Sequence, residues 1–157
     1  MTIPASVRRC LEDRGIPVET RVHPAAVTAT ETAQAAHVSG EIVVKAVALK
    51  DDEGLVVALL PATHALHVGT LANALGRDLE LATEADFKGL FPDCDTGAVP
   101  ALPLPYGVTT VVEKALLEPP RLFLESGSHR DLIAVSGDDF RRLYSDSRTL
   151  SFSGHKP

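Results

Sequence analysis

Aromatic side chains are scarce in this sequence. Tryptophan is absent, and phenylalanine and tyrosine make up only 4% of the 157 residues. Positive charge is also in the minority, because 15 lysines and arginines are set against 21 acidic residues, for a net charge of −6. Proteins that stack successive bases rely on aromatic rings, and proteins that wrap along a nucleic-acid backbone are usually basic. The composition therefore disfavours both, and it leaves room for a small footprint on one end of a nucleic acid.

Cysteines and long apolar runs are lacking as well. The two cysteines, Cys10 and Cys94, form no CxxC pair, and no run approaches the roughly 18 apolar residues of a membrane span. The N-terminus has no basic region followed by an apolar one, so we expect no secretory signal. These absences predict a cytoplasmic protein with free thiols and no membrane partner. Because Cys94 lies between Asp93 and Asp95, its pKa should be raised, which disfavours a catalytic thiol.

Several enzyme signatures are missing too. The sequence contains no Walker loop, no GxGxxG, no GxSxG and no HExxH, which disfavours several familiar enzyme classes. His64 and His67 are three residues apart, a spacing that could seat a metal, but no third ligand accompanies them. We therefore expect two surface-loop histidines, no metal site and no cofactor.

Helical and strand patterns alternate irregularly along the chain. The length suits one domain, residues 1–157, whose polar end, 145–157, should be a loose tail. Hairpins mixed with helices, without strict βαβ alternation, indicate an α+β fold with a curved, mixed, largely antiparallel sheet (a partly open barrel) surrounded by helices. Capping and periodicity predict helices over 4–14, 28–37, 68–75, 83–90 and 137–144, and strands over 18–22, 41–50, 55–60, 79–82, 108–112, 121–125 and 131–135.

Lys45 interrupts an otherwise apolar strand. Alternation along residues 41–50 makes both faces apolar, which predicts a central strand covered on both sides. An unpaired buried ammonium group is costly. Lys45 must therefore reach solvent or a carboxylate, emerge in a cleft, or wait for an anionic ligand, and the strand by itself leaves these alternatives open.

Two irregular stretches carry groups suited to chemistry. Residues 91–107 hold four prolines and two glycines, so we expect a long ordered loop, which in a compact domain is often functional. Within it, the segment from Gly97 to Pro100 can present backbone N–H groups to a carbonyl oxygen or a phosphate. His129 follows Gly127-Ser128 at a hairpin tip, where its imidazole can hydrogen-bond a reacting group near neutral pH.

A series of segments, taken in order, carries a family resemblance. They are His23-Pro24, Val27-Thr28-Ala29, His37 to Gly40, Val44 to Lys50, Leu59 to His64, Phe91 to Asp95, Gly97 to Pro100, and Glu125 to His129. Together they resemble the YbaK/prolyl-tRNA-synthetase-associated editing domains, a family of aminoacyl-tRNA deacylases. The resemblance is nearest to the free-standing subgroup.

The resemblance implies hydrolysis of the ester that joins a wrong small amino acid, such as Ala, Ser, Thr or Cys, to the 3′-terminal adenosine of a tRNA. It implies no metal, no cofactor and no protein nucleophile. Catalytic roles fall to Lys45, Gly97 and His129, which should open onto one cavity. The implied partners are the tRNA acceptor end and an aminoacyl-tRNA synthetase, with the chain a monomer or a weak homodimer. Substrate-binding positions are implied at His23, Thr28, Ala46, His64, Ala98, Val99, Pro100, Gly127 and Ser128.

Two residues depart from the family pattern. Ala46 stands where members often have Thr or Asn after the lysine, and Ala101 stands where many have proline. Both departures leave a second function open, which is a non-catalytic module of the same fold that binds tRNA or an aminoacyl-adenosine without hydrolysing it.

Overall fold

The computed structural model describes residues 3–26 and 28–157, so Val27 of the motif quoted above lies outside the described residues. None of the described helices is long and apolar enough to cross a membrane. The helices are α1 (Ala5–Asp13), α2 (Ala29–Ala36), α3 (Val68–Leu75), α4 (Glu84–Phe87) and α5 (Gly137–Leu143). The strands are β1 (Glu19–Val22), β2 (Val43–Asp51), β3 (Gly54–Pro61), β4 (His64–Leu66), β5 (Glu80–Leu81), β6 (Thr109–Glu113), β7 (Arg121–Glu125), β8 (Asp131–Ser136), β9 (Arg148–Leu150) and β10 (Ser153–His155).

The main sheet is mixed. Its strand order is β1-β8-β7-β2-β3-β6-β9, with β5 also paired to β2, and a separate pair joins β10 to β4. The β7–β2, β3–β6 and β6–β9 pairs are parallel, whereas the other pairs are antiparallel. The predicted α+β class and largely antiparallel sheet are confirmed. Among the described strands β1 and β9 end the sheet, which is therefore not closed into a barrel.

Strand β2 lies at the centre of this sheet and is covered on both faces, as its alternation predicts. On one face Val44 packs into the largest apolar cluster. On the other face Val43 packs against Ala33 of α2, and Leu49 packs against Leu71 of α3. Lys45 therefore emerges on the second face, between the clusters formed with these two helices.

The end of the chain is ordered rather than loose, so the prediction of a frayed tail over 145–157 is wrong. Strand β9 pairs with β6, and β10 pairs with β4. Phe152 is only 1% exposed, and the Glu113 carboxylate accepts the backbone N–H groups of Phe152 and Ser153. The prediction failed because it relied on the mean polarity of residues 145–157. The buried Phe152 ring and its neighbour Ser153, which is bonded to the buried Glu113 carboxylate, hold the segment in place despite that polarity.

Candidate functional site

A cavity of about 130 Å³ lies beside the edge of β2. The Gly97 loop and the hairpin tip between β7 and β8 form much of its wall. Glu125 and Asp131 add carboxyl groups, and Thr32 of α2 adds a hydroxyl. The predicted residues that line it are Ala46, Gly97, Ala98, Val99, Gly127, Ser128 and His129.

The cavity exists because the pairing of β7 with β2 is short. These strands pair only at Val43–Phe123 and Val44–Leu124. One step further, the Glu125 side chain replaces the backbone ladder, since its Oε1 accepts the Ala46 N–H at 2.9 Å. The next partner on this edge, β5, pairs only with Leu49 and Lys50. The middle of the β2 edge is therefore left open to the Gly97 loop.

The Gly97 loop is anchored at both ends. Gly97 has φ +78°, a left-handed conformation that favours glycine. At the start of the loop, the Asp95 carbonyl accepts the Ala98 N–H at 3.0 Å. At the end of the loop, the Ala101 N–H donates to the Glu125 carbonyl at 2.7 Å, and the Tyr144 hydroxyl donates to the Ala101 carbonyl at 2.6 Å. These bonds hold the loop against the end of β7.

Two backbone N–H groups of this loop have no hydrogen-bond acceptor among the described residues. The N–H groups of Gly97 and Val99 make no hydrogen bond to any residue that the structure describes. Gly97 and Val99 both line the cavity. Such N–H groups on a fixed backbone can stabilise a developing negative charge on an oxygen atom.

Asp95 joins the hairpin tip to the loop. Its Oδ2 accepts the His129 N–H at 2.8 Å, and its own N–H donates to the Gly127 carbonyl at 2.8 Å. The His129 Nε2 lies 3.1 Å from the Thr96 carbonyl oxygen. Because a carbonyl only accepts, Nε2 carries the proton, and in the neutral ring Nδ1 is then an acceptor. The imidazole is thus oriented by the same loop that supplies the backbone donors.

Gly127 allows the hairpin tip to approach Cys94. It has φ +93°, and a Cβ at this position would lie 2.6 Å from the Cys94 Sγ. Burial raises the pKa of the Cys94 thiol to about 11; the Tyr106 hydroxyl opposes the shift, and Asp93 and Asp95 add to it. The predicted direction of this shift is confirmed, although burial contributes more than the acidic neighbours. Cys94 therefore packs rather than reacts.

Sequence reasoning did not select Glu125, nor the other lining residues Ala26, Thr32, Asp131 and Leu132. Burial raises the pKa of the Glu125 carboxyl to about 7, and the Ala46 N–H and the positive charge of Lys45 oppose the shift. A carboxyl that titrates near neutral pH can exchange a proton with a reacting group. The available signal was an acidic residue directly after a buried apolar strand and before a serine–glycine turn, but this pattern by itself does not place the carboxyl in a cavity.

Lys45 lies next to the cavity but does not line it. The register of β2 and β7 places Lys45 beside Glu125, on the same face of the sheet. Its ammonium turns the other way and donates to the carbonyls of His64 at 2.6 Å and Ala62 at 3.4 Å. Burial lowers the pKa of Lys45; the charge of Lys156 lowers it further, while Glu125 opposes the shift. The expectation that Lys45 opens onto the same cavity as Gly97 and His129 is therefore not met.

The other predicted substrate-binding residues, His23, Thr28, His64 and Pro100, do not line the cavity. His23 is buried and its Nδ1–H donates to the Pro24 carbonyl at 2.8 Å. Thr28 caps α2 by accepting the Glu31 N–H at 3.1 Å, and Pro100 is buried behind the loop. His64 is 7% exposed, so its interpretation as a surface-loop histidine is wrong, whereas His67 is exposed.

Comparisons with known proteins show which family model and which solved structures this chain resembles. A family model described as the aminoacyl-tRNA editing domain matches residues 23–143, more than half of the chain. No curated protein matches. Among solved structures, a hypothetical protein is 20% identical with a TM-score of 0.82, and the match covers 95% of this chain and 99% of that one. A candidate trans-editing enzyme for prolyl-tRNA synthetase is 22% identical with a TM-score of 0.76, covering 96% and 98% of the two chains.

A third solved structure shows the same fold inside a longer chain. It is a candidate signal transduction protein from Marinobacter aquaeolei VT8, 25% identical with a TM-score of 0.77. The match covers 96% of this chain but 31% of that protein. The likeness to these structures concerns the fold, and the family match over residues 23–143 carries the assignment.

Proposed function

The chain belongs to the aminoacyl-tRNA editing domain family, and from this premise we propose that it is a trans-acting deacylase. It hydrolyses the ester that joins a wrong small amino acid to the 3′-terminal adenosine of a tRNA. The observation that carries the proposal is the convergence of unused backbone donors, an oriented imidazole and a carboxyl of pKa about 7 on one cavity.

The size of the cavity supports a small amino acid. Its volume is about 130 Å³, and a protein cavity of roughly 150 Å³ holds a molecule of the size of benzene. Side chains such as those of Ala, Ser, Thr and Cys fit this space. Apolar pockets separate substrates that differ by one methylene by only about 10- to 200-fold, so we expect graded rates within this set rather than a single substrate.

The chemistry follows from three groups. Glu125, when ionised, removes a proton from a water molecule whose oxygen attacks the ester carbonyl carbon. The N–H groups of Gly97 and Val99 stabilise the resulting oxyanion, and loss of one such donor typically costs on the order of 10²–10³ in rate. When the carbon–oxygen bond to the ribose breaks, Glu125 returns the proton to the departing ribose oxygen. His129, through Nδ1, hydrogen-bonds the α-ammonium group of the amino acid and orients it.

Lys45 acts on this site through charge. It lies on the same sheet face as Glu125, and its positive charge favours the ionised carboxyl. It is therefore a positioning residue in this mechanism. Neither a metal ion nor a protein nucleophile takes part, so treatment with a chelator should leave the rate unchanged.

The two departures from the family pattern are compatible with activity. Ala46 contacts Glu125 through its backbone N–H, which any residue except proline supplies. Ala101 donates its N–H to the Glu125 carbonyl, a bond that proline could not make. Both alanines therefore support the residue that the mechanism needs.

Deacylation of a panel of charged tRNAs tests the proposal. Purified protein is mixed with Ala-, Ser-, Thr- and Cys-charged tRNAs, each cognate and mischarged, and the release of amino acid is followed with and without a chelator. We expect release from at least one mischarged species. Binding to all of them without release would favour the non-catalytic module instead.

A further inference from the structure

Two lysines are hydrogen-bonded to the turn that follows β3. The carbonyl oxygens of Ala62 and His64 accept hydrogen bonds from the Lys45 ammonium, at 3.4 and 2.6 Å. The carbonyl between them, that of Thr63, accepts the backbone N–H of Lys156 at 3.0 Å. The stretch from Ala62 to His64, which includes the two-residue turn between β3 and β4, therefore brings a lysine of β2 and a C-terminal lysine together.

Neither lysine forms an ion pair with a described carboxylate, although the charge of Glu125 acts on Lys45. No salt bridge to a described residue involves Lys45 or Lys156. The Lys156 ammonium instead reaches the Thr30 hydroxyl of α2 at 3.4 Å, so it lies between that helix and the turn. The charge of Lys156 also acts on Lys45, whose pKa is lowered first by burial and then by this repulsion. Two like charges held together in this way favour an anion that neutralises both.

A cation is the competing occupant of this region. Glu41, His64 and His155 offer donor atoms that lie within 4.8 Å of one another. Glu41 is already bonded to His155, whose Nε2 lies 2.6 Å from the carboxylate oxygen, and Thr63 donates to the same oxygen at 3.0 Å. The ammonium groups carried by the adjacent turn would repel a metal ion. The charges therefore favour an anion over a cation.

We propose that Lys156 and Lys45 form a phosphate-binding pair, which holds a phosphodiester group of the acceptor end while the terminal aminoacyl group enters the cavity. The identity of the ligand as tRNA rests on the proposed function, whereas the anion site rests on the lysines alone. Lys156 lies beyond residues 23–143, the segment that the family model matches. The C-terminal strand β10, which places Lys156, is thus a part of the substrate site that the family match does not cover.

The test measures binding of an uncharged acceptor-stem RNA ending in CCA, by fluorescence anisotropy over a range of salt concentrations. Lys156→Gln keeps the backbone N–H that bonds Thr63 and removes only the charge. We expect it to weaken binding by roughly three- to tenfold and to reduce the slope of log K against log salt by about 0.7, as for one phosphate contact with a single strand. Lys114→Gln, on the 3-10 helix after β6, makes the same charge change elsewhere and should leave the slope unchanged.

Two further measurements, competition by inorganic phosphate and binding of Zn²⁺, distinguish an anion site from a cation site. Inorganic phosphate should compete with the RNA for binding to the wild-type protein. With Lys156→Gln, the same phosphate concentration should displace much less of the RNA. Equal slopes for the wild type and Lys156→Gln, or no binding of the RNA at all, would overturn the proposal. Stoichiometric Zn²⁺ binding that is lost in His155→Ala would identify a cation site and would also overturn it. Because no step requires hydrolysis, a failure of the deacylase proposal would be seen separately.

Discussion

The side chain of Glu125 takes the place of a strand at the edge of β2, since its carboxylate accepts the Ala46 N–H at 2.9 Å where the parallel pairing with β7 has ended. The same residue accepts the Ala101 N–H through its backbone carbonyl at 2.7 Å. Glu125 therefore links the central strand to the Gly97 loop, and its carboxyl faces the cavity between them.

Glu125→Gln should abolish most deacylation while preserving the fold. The amide oxygen can still accept the Ala46 N–H, but glutamine cannot remove a proton from water. We expect the rate constant to fall by about 10²–10⁴, the usual contribution of a general base, with little change in the circular dichroism spectrum. Asp131→Asn, a second carboxyl of the cavity wall, is the matched control. Equal losses in the two variants would contradict a specific role for Glu125.

The free energy of unfolding should depend on pH through the titration of Glu125. Its carboxyl has a pKa near 7 in the folded protein, above its ordinary value of 4.5. Between these two pKa values the folded state holds a proton that the unfolded state has released. The contribution of the protonated carboxyl to the free energy of unfolding is therefore full below pH 4.5 and is lost as the pH rises through about 7. Between pH 5 and 8 the free energy of unfolding of the wild type should fall relative to that of Glu125→Gln. Parallel pH profiles from urea denaturation would show that the carboxyl is not shifted.

Lys45→Gln should move the pH dependence of deacylation. The positive charge of Lys45 lowers the pKa of Glu125, so its removal should raise that pKa and shift the rising limb of the pH–rate profile to higher pH. Lys114→Gln is a control with the same change in net charge. A variant with a lower rate but an unmoved limb would indicate that Lys45 acts in some way other than through the carboxyl.

Gly127→Ala should destabilise the hairpin tip. The left-handed φ of +93° and a Cβ placed 2.6 Å from the Cys94 Sγ both oppose a side chain. We expect a loss of about 2–4 kcal/mol in the free energy of unfolding, combining backbone strain with overpacking. Gly69→Ala, in α3 with no atom within 4 Å of the added Cβ, should instead be neutral or stabilising. Chemical denaturation of both variants measures the difference.

Local patterns predicted much of the secondary structure. Thr28 caps α2 at the start of the predicted helix 28–37, the predicted strands 41–50 and 55–60 pair as β2 and β3, and α3 spans the predicted 68–75. Each depends on contacts between residues close in sequence, which a pattern can represent. The family resemblance, read from motifs in order, is likewise confirmed by the family match over 23–143.

The sequence by itself determined the α+β class, the family, the central position of the lysine-bearing strand and most of the residues that line the cavity. Only the tertiary structure decided that Lys45 turns away toward His64, that Glu125 supplies the cavity carboxyl, and that the polar C-terminus folds back to place Lys156 beside Lys45. The physical reason is distance along the chain. Hydrogen bonds such as Ala46–Glu125 and Lys156–Thr63 join residues far apart in sequence. A local pattern of residues cannot predict which distant residues will come into contact.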